Sequence, residues 1–181
     1  MVMGAAISTK GPSLEEIYRK LTGIATPARK QELLEQIGAT HESQVRRRIQ
    51  SEKTAPNGTA WPAWSEQYAK TRHGGQSLLS GEGDLLDSIE SQLLSRAVAI
   101  GTPLVYGGLH QNGFDGRINV PAHQRRITQA FGKALKAPKT ISVSAFSRQM
   151  SMPQREYLGL STSNRNEMLK VIGQFWQKAM Q

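Results

Sequence analysis

Four histidines, His41, His73, His110 and His123, are the side chains with which this chain could ligate a metal or move a proton near neutral pH. No two of them stand at a metal-ligand spacing such as i, i+4 on a helix, and no group of acids accompanies them. Each is therefore expected to be structural. His110 is the most notable, because it sits in the compact, Gly-bounded run Gly107-Gly108-Leu109-His110-Gln111-Asn112-Gly113. Asp84 and Asp87 are a carboxylate pair, but a glycosidase or nuclease would need further acids nearby. Asp84 is better placed to favour a helix N-terminus through the backbone dipole. Ser80 and Ser88 lack the strand–turn–helix setting of a nucleophile elbow. There is no phosphate-binding loop or dinucleotide fingerprint, and Gly81-Glu82-Gly83 is too short to cradle a phosphate. The chain has no cysteine, which excludes disulfides, thiolate zinc sites and Cys nucleophiles. The expectation is a protein with no catalytic residues, no cofactor and no metal, and so not an enzyme.

What the residues do offer is charge. The 181 residues carry a formal net charge of +9 and a pI of about 10.1. The balance is +2 over residues 1–52, −2 over 53–116, +7 over 117–160 and +2 over 161–181. An excess confined to one stretch marks a contact surface rather than general solubilisation. Arg125, Arg126, Lys133, Lys136 and Lys139 lie within it, flanked by Arg117 and Arg148. They suit an acidic protein surface, or a DNA backbone engaged without sequence preference through counterion release. Phe131 is the one aromatic of the expected hairpin tip, which argues against base stacking, and the protein partner is preferred. Trp61 and Trp64 are large residues for a loop. They are expected to pin it to the core, and a neighbouring subunit could cover one of them.

The elements that must position these groups can be read from caps and periodicity. Ser13 and Glu16 fit a capping box opening a short helix with Leu14, Ile17 and Leu21 on one face, ended at Gly23. Thr26-Pro27 predicts the N-cap and first position of a longer helix to about Ser51, with Leu33, Leu34, Ile37, Val45 and Ile49 as its apolar line, and His41 and Gly38 beside it. Arg46, Arg47 and Arg48 cannot share a face, because successive helical residues are 100° apart. Residues 53–63 read as a loop turning at Asn57-Gly58. Ser65 caps a short helix to Arg72, ended by His73-Gly74-Gly75, and Asp84–Ile89 forms another. Ser91–Leu94 and Arg96–Gly101 form a hairpin, and Pro103–Gln111 a turn or single helical turn. Arg117–Pro121 is a short strand. Gln124–Phe131 and Thr140–Phe146 are the arms of a second hairpin with its tip at Gly132–Lys139. Pro153–Leu160 is extended. Ser163 or Asn164 caps a last helix to about Met180, apolar at Met168, Leu169, Ile172, Phe175, Trp176 and Ala179.

This predicts an α+β fold: N-terminal helices, a small antiparallel sheet of hairpins, and a C-terminal helix packed on the sheet. Residues 1–52 form a helical segment, and 53–181 a core domain with the basic hairpin inserted at about 122–151. Hydrophobic residues make up 38% of the chain, beside 17 Gly and 8 Pro, which gives a lean core suited to stabilisation by oligomerisation. No apolar run approaches the roughly 20 residues a membrane helix needs, so no membrane partner is expected. Met1–Lys10 lacks a basic n-region and is not expected to be a secretion signal.

Four ordered segments carry a resemblance. Asn57-Gly58-Thr59-Ala60-Trp61-Pro62-Ala63-Trp64-Ser65 is followed by Leu79-Ser80-Gly81-Glu82-Gly83-Asp84-Leu85-Leu86-Asp87-Ser88-Ile89, then by Ala99-Ile100-Gly101-Thr102-Pro103-Leu104-Val105-Tyr106-Gly107-Gly108-Leu109-His110-Gln111-Asn112-Gly113. Val120-Pro121-Ala122 and Met152-Pro153-Gln154-Arg155-Glu156-Tyr157-Leu158-Gly159-Leu160-Ser161 follow as two halves of one segment. Over about residues 25–181 this order resembles the phage virion-morphogenesis family, which includes tail-completion proteins. Asn112 stands where that family usually has Phe, and the last segment is split by the basic hairpin, as by an elaborated arm. The resemblance implies a structural role in a tailed bacteriophage, at the tail end or neck, without catalytic residues or cofactor. It also implies a homo-oligomeric ring, expected to be a hexamer, contacting other neck, tail-tube or head-connector proteins and possibly packaged DNA, in the virion and, during assembly, in the host cytoplasm. Tyr157, in its closing segment, joins Trp61 and Trp64 as an expected loop anchor or subunit contact. The rival from another class is a free, sequence-nonspecific DNA-binding protein using residues 117–160.

Overall fold

The computed structural model describes residues 14–180 apart from 25, 73, 131 and 132. The readings placed on Met1–Lys10, Ser13, His73 and Phe131, and on the side chains of Leu14, Ile17 and Leu21, lie outside the described residues.

The fold is α+β. Helix α1 (Leu14–Ile24) leads to α2 (Pro27–Arg47). Thr26 is the N-cap of α2: its Oγ1 accepts from Arg29 N at 3.3 Å, and Pro27 supplies the first helical position. The helix does not run on in α form to Ser51. Its last turn, Arg48–Glu52, widens into a π turn closed by Lys53 at φ 55°. A π turn re-aims the side chains of a helix end, and here it turns Arg48 into the core.

After the loop, whose Thr54 and Ala60 form an isolated bridge, come α3 (Glu66–Ala69) and α4 (Asp84–Asp87). Ser65 Oγ caps α3, accepting from Tyr68 N at 3.3 Å. β1 (Glu90–Leu93) and β2 (Val98–Gly101) pair antiparallel, Glu90 against Gly101. This hairpin lies on α2 at Gly38, where a Cβ would stand 2.9 Å from Val98 Cγ2 and 3.2 Å from Ser91 Cβ. Only a glycine admits so close a helix–strand approach. α5 (Val105–Asn112) is a two-turn helix.

The rest of the strand content departs from the expected pattern. β3 (Phe114–Val120) pairs with β6 (Phe146–Met152), and β4 (His123–Ala130) with β5 (Lys133–Val143). The two pairs are nested in sequence and together form one long two-stranded ribbon. Its break lies at 121–122 on one arm and 144–145 on the other. The tip is shorter than Gly132–Lys139: Lys133, Lys136 and Lys139 stand on β5 rather than in a loop. Phe146–Met152, beyond the arm expected to end at Phe146, is a strand because it pairs with Phe114–Val120 some thirty residues upstream. Three two-stranded sheets result, not one.

α6 (Thr162–Met180) packs chiefly on α2 and also on α1, not on a sheet as expected. Gln44 Nε2 donates to Asn164 O at 3.1 Å and Glu167 Oε2 at 2.9 Å, and Arg29 reaches Ala179 O at 3.1 Å. The cap of α6 is Ser161, two or three residues earlier than predicted. Ser161 Oγ accepts from Asn164 N at 3.1 Å, and Asn164 Oδ1 accepts in return from Ser161 N at 3.3 Å. This is a reciprocal capping box with Asn in the usual acid's place. The core is small and joins segments far apart in the chain: Val45 and Ile49 from α2 and its π turn, Trp61 from the loop, Leu85 and Ile89 from around α4, and Tyr157.

Candidate functional site

Three features compete as the site: a strapped segment at residues 154–159, a cleft beside it, and the ribbon.

The last turn of α5 leaves carbonyls without intrahelical partners. His110 O accepts from Arg155 N at 2.8 Å, and Gln111 O from Gln154 Nε2 at 3.1 Å. The Gln111 side chain behaves like a strand edge. Its Oε1 accepts from Tyr157 N and Leu158 N at 3.0 and 2.9 Å, and its Nε2 donates to Leu158 O at 3.2 Å. On the other side Trp61 Nε1 donates to Glu156 O at 3.0 Å, while Arg155 Nε and Nη2 donate to Pro62 O and Ala63 O at 2.9 and 3.0 Å. From below, Arg48 Nη1 donates to Tyr157 O and Gly159 O at 2.9 and 2.8 Å, and its Nη2 to Asn164 Oδ1 at 2.5 Å. Its Nε lies 3.8 Å from Glu52 Oε2, close enough to feel the charge but not bonded.

Arg48 is 1% exposed. Burial pushes its pKa down, as it does for Arg155 and for Lys53. Lys53 donates to Ile49 O, to Leu78 O at 2.7 Å and to Ser80 Oγ at 3.0 Å. The hydrogen bonds of these three cations go to carbonyls, a hydroxyl and an amide oxygen. Such an arrangement holds backbone segments in place. None of the three stood out in the sequence: Arg48 is one of three consecutive arginines, and nothing local distinguishes it.

Gly107 shows how tightly the strap is seated. A Cβ there would meet Thr102 Cγ2 at 2.6 Å and the Tyr157 hydroxyl at 2.8 Å. Gly107→Ala should gain up to about 1 kcal/mol of helix propensity but lose about 1–3 kcal/mol to overpacking. The expected net is a melting temperature a few degrees lower, read by thermal unfolding. Gly108→Ala is the control, since a Cβ there meets nothing within 4 Å, and should not destabilise.

The cleft has a volume of about 620 Å³ and takes lining residues from all the resembling segments: Trp64, Asp84, Tyr106, His110 and Arg155, with Met152 at the ribbon's root. Trp64 packs edge-on to Tyr68 at 5.9 Å, and Tyr106 edge-on to His110 at 6.1 Å. Arg72 stacks over Tyr68 at 4.4 Å. His110 Nδ1 is buried and has no hydrogen-bond partner among the described residues. Burial, with Arg155 nearby, holds His110 below the ordinary histidine range, and burial does the same to His41 against an opposing hydrogen bond from Gln44. His123 is exposed on the ribbon, its Nδ1 3.0 Å from Pro121 O. Among the described residues no group of His, Asp and Glu is arranged to hold a metal ion.

The two lowered histidines make a stability prediction. Each protonates more readily in the unfolded chain, so neither costs stability well above pH 6.5, and both cost it as pH falls through 6.5. The melting temperature should drop between pH 7.5 and pH 5. A His41→Gln/His110→Gln variant should lose a clearly smaller amount over that interval. An equal loss in both proteins would rule these groups out.

The predicted basic residues do not converge on one patch. Residues directly opposite in an antiparallel pair project to the same side. Arg125 faces with Ile141 and Lys139 with Ile127, on one side; Arg126 lies with Thr140 on the other. Arg148 pairs with Ile118 on the apolar side of β3–β6, and Arg117 with Gln149 on its polar side. Lys133 stands opposite Ala130 near the tip, and Lys136 lies between on β5. All seven are exposed. They form a collar of charge around a projecting ribbon. Trp61 is 6% and Tyr157 1% exposed, so both are anchors within the chain; Trp64 is half-buried on the cleft wall.

The model of the phage virion morphogenesis family matches residues 12–176. Neither a curated relative nor a solved structure matches the chain.

Proposed function

The chain belongs to the phage virion morphogenesis family and serves phage virion assembly; from that premise we propose that it completes the tail and joins it to the head, as a non-catalytic, ring-forming subunit at the neck. One observation carries the reading. The resembling segments are spent on strapping residues 154–159 and shaping one cleft, while the most charged part of the chain projects as an exposed ribbon. A protein of this design works by presenting surfaces. The ring is a homo-oligomer, with six copies as the expected number, since a contact between two different patches closes into a ring when its rotation allows. Its other partners are neck, tail-tube or head-connector proteins with acidic faces, and its place is the tail end of the virion, reached from the host cytoplasm. No membrane is involved, and no helix among the described residues is long and apolar enough to cross one.

The rival is a sequence-nonspecific DNA-binding protein. The ribbon's charge suits it, but the aliphatic residues Ile127, Ile141 and Val143 interleaved with that charge favour a protein partner. The test is a phage carrying a nonsense mutation in this gene. Lysates should contain filled heads and tails that remain apart, and adding the purified protein should restore infectious particles. Normal particle yield without the protein, or its absence from purified virions, would overturn the reading.

A further inference from the structure

The geometry points to a head-to-tail contact in which the basic ribbon of one copy lies across the acidic, apolar rim of the cleft on a second copy. The inference rests on the oligomeric reading above and names the two surfaces that meet.

Among the described residues the ribbon's main contacts are those between its own strands. β4 and β5 pack on each other and β3 on β6, and a two-stranded ribbon is marginal in water without something on its apolar side. Beyond the break β4–β5 carries Ile127, Ile141 and Val143 on one side; before it β3–β6 carries Ile118, Val120 and Phe146 on one side, which alternation in an unshifted register places on the opposite face. Ile141 is 41% and Phe146 46% exposed. Arg125 and Lys139 share the side with Ile141, so the ribbon offers aliphatic surface edged by positive charge.

The cleft rim is the complement. Tyr106 and Tyr68 line the cleft, 38% and 47% exposed, and Val105, which precedes Tyr106 at the start of α5, is 91% exposed. Glu82 and Asp84 stand on the rim with them. A Ser88–Thr102 hydroxyl contact of 2.7 Å brings the start of α5 alongside α4. Burial first, and then the Asp84 carboxylate, holds the Tyr106 phenol above its usual range. Arg72 is the cation at this rim that remains accessible, and it is stacked on Tyr68; Arg155 is buried and bonded to carbonyls.

Charge matches as well as apolarity. Residues 73–95 contain four acids and no lysine or arginine, while residues 114–152 contain seven bases and one acid, Asp115, which accepts from Gln149. Among the described residues the ion pairs all involve Arg46, Arg47 or Arg48, so none of them neutralises either surface. Nor can the ribbon serve its own rim. It leaves the cleft wall at Ser151 and Met152, and β3 with β4 extends about 55 Å at 3.3 Å per residue. Folding back would break its pairing. The acceptor is therefore another copy, and a contact between unlike patches propagates to the next.

The test uses the whole chain. Wild type should sediment as an oligomer in about 0.05 M salt and dissociate toward monomer in about 1 M salt, where charge pairs are screened. Lys133→Glu/Lys136→Glu/Lys139→Glu and Glu82→Lys/Asp84→Lys should each weaken association at least about tenfold, with unchanged circular dichroism, and mixing the two should restore it. Because the chain has no cysteine, Val105→Cys in one copy and Ile141→Cys in another should give a disulfide-linked dimer on mild oxidation. An oligomer that ignores both reversals and gives no Val105–Ile141 cross-link sinks this contact and leaves the ring intact. A wild type that is monomeric at all concentrations, in solution and in virions, sinks both. A ribbon that instead shifts duplex DNA with a steep salt dependence, and is unaffected by the Glu82/Asp84 reversal, assigns it to nucleic acid.

Discussion

Arg48→Ala should unfold most of the chain at temperatures where the wild type is stable. The guanidinium donates to Tyr157 O, Gly159 O and Asn164 Oδ1 in a site closed to solvent. Removing it leaves Tyr157 O and Gly159 O without this donor, takes one of two donors from Asn164 Oδ1, and leaves a cavity the size of the side chain. Two acceptors left without a donor, at about 1–3 kcal/mol each, cost about 2–6 kcal/mol, against a total of about 5–15 kcal/mol for a whole domain. At roughly 2–4 °C per kcal/mol, the melting temperature falls by about 4–24 °C. Arg48→Lys should recover only part, because an ammonium cannot present the planar fork that spans three acceptors. The neighbour supplies the control. Arg47 is exposed and pairs with Glu52 and Glu167 at 3.1 Å each, so Arg47→Ala should cost under about 1 kcal/mol. Equal melting temperatures for the Arg47 and Arg48 variants would show that the buried network does not hold the strap.

The second large effect should appear in assembly rather than stability. Lys133→Glu/Lys136→Glu/Lys139→Glu lowers the formal charge from +9 to +3, on side chains that are exposed and make no ion pair among the described residues. Exposed substitutions of this kind change stability by about 0.5 kcal/mol each at most, so circular dichroism and melting should match wild type. The infectious yield of a phage carrying the triple variant should fall by orders of magnitude, with heads and tails accumulating apart. A Lys→Gln triple variant removes charge without reversing it and should lie between. Normal yield from the Glu variant would mean that the ribbon's charge plays no part in particle formation.

Much of the local structure was legible from residues alone. Thr26-Pro27 and Ser65 announce their helices because a cap is a contact between residues two or three apart, and Asn57-Gly58 turns because glycine accepts φ 87°. The concentration of charge after residue 117 was likewise a property of composition and order. The four motif segments, read in sequence, pointed to the family later matched over residues 12–176.

Tertiary structure decided the rest, wherever the partner of a group lies far along the chain. Nothing near Phe146–Met152 says that it pairs with Phe114–Val120, and its alternation is interrupted by Arg148, so the ribbon's length emerges only from the pairing. Three consecutive arginines look alike in sequence; a π turn at the end of α2 puts one in the core and leaves another in water. Gln111 and Arg155 read as ordinary polar residues until the strap places unpaired backbone groups within their reach. Local order follows from contacts a few residues apart, which sequence displays directly. Burial and hydrogen-bond completion are set by segments some fifty to more than a hundred residues away, and only the assembled chain brings them together.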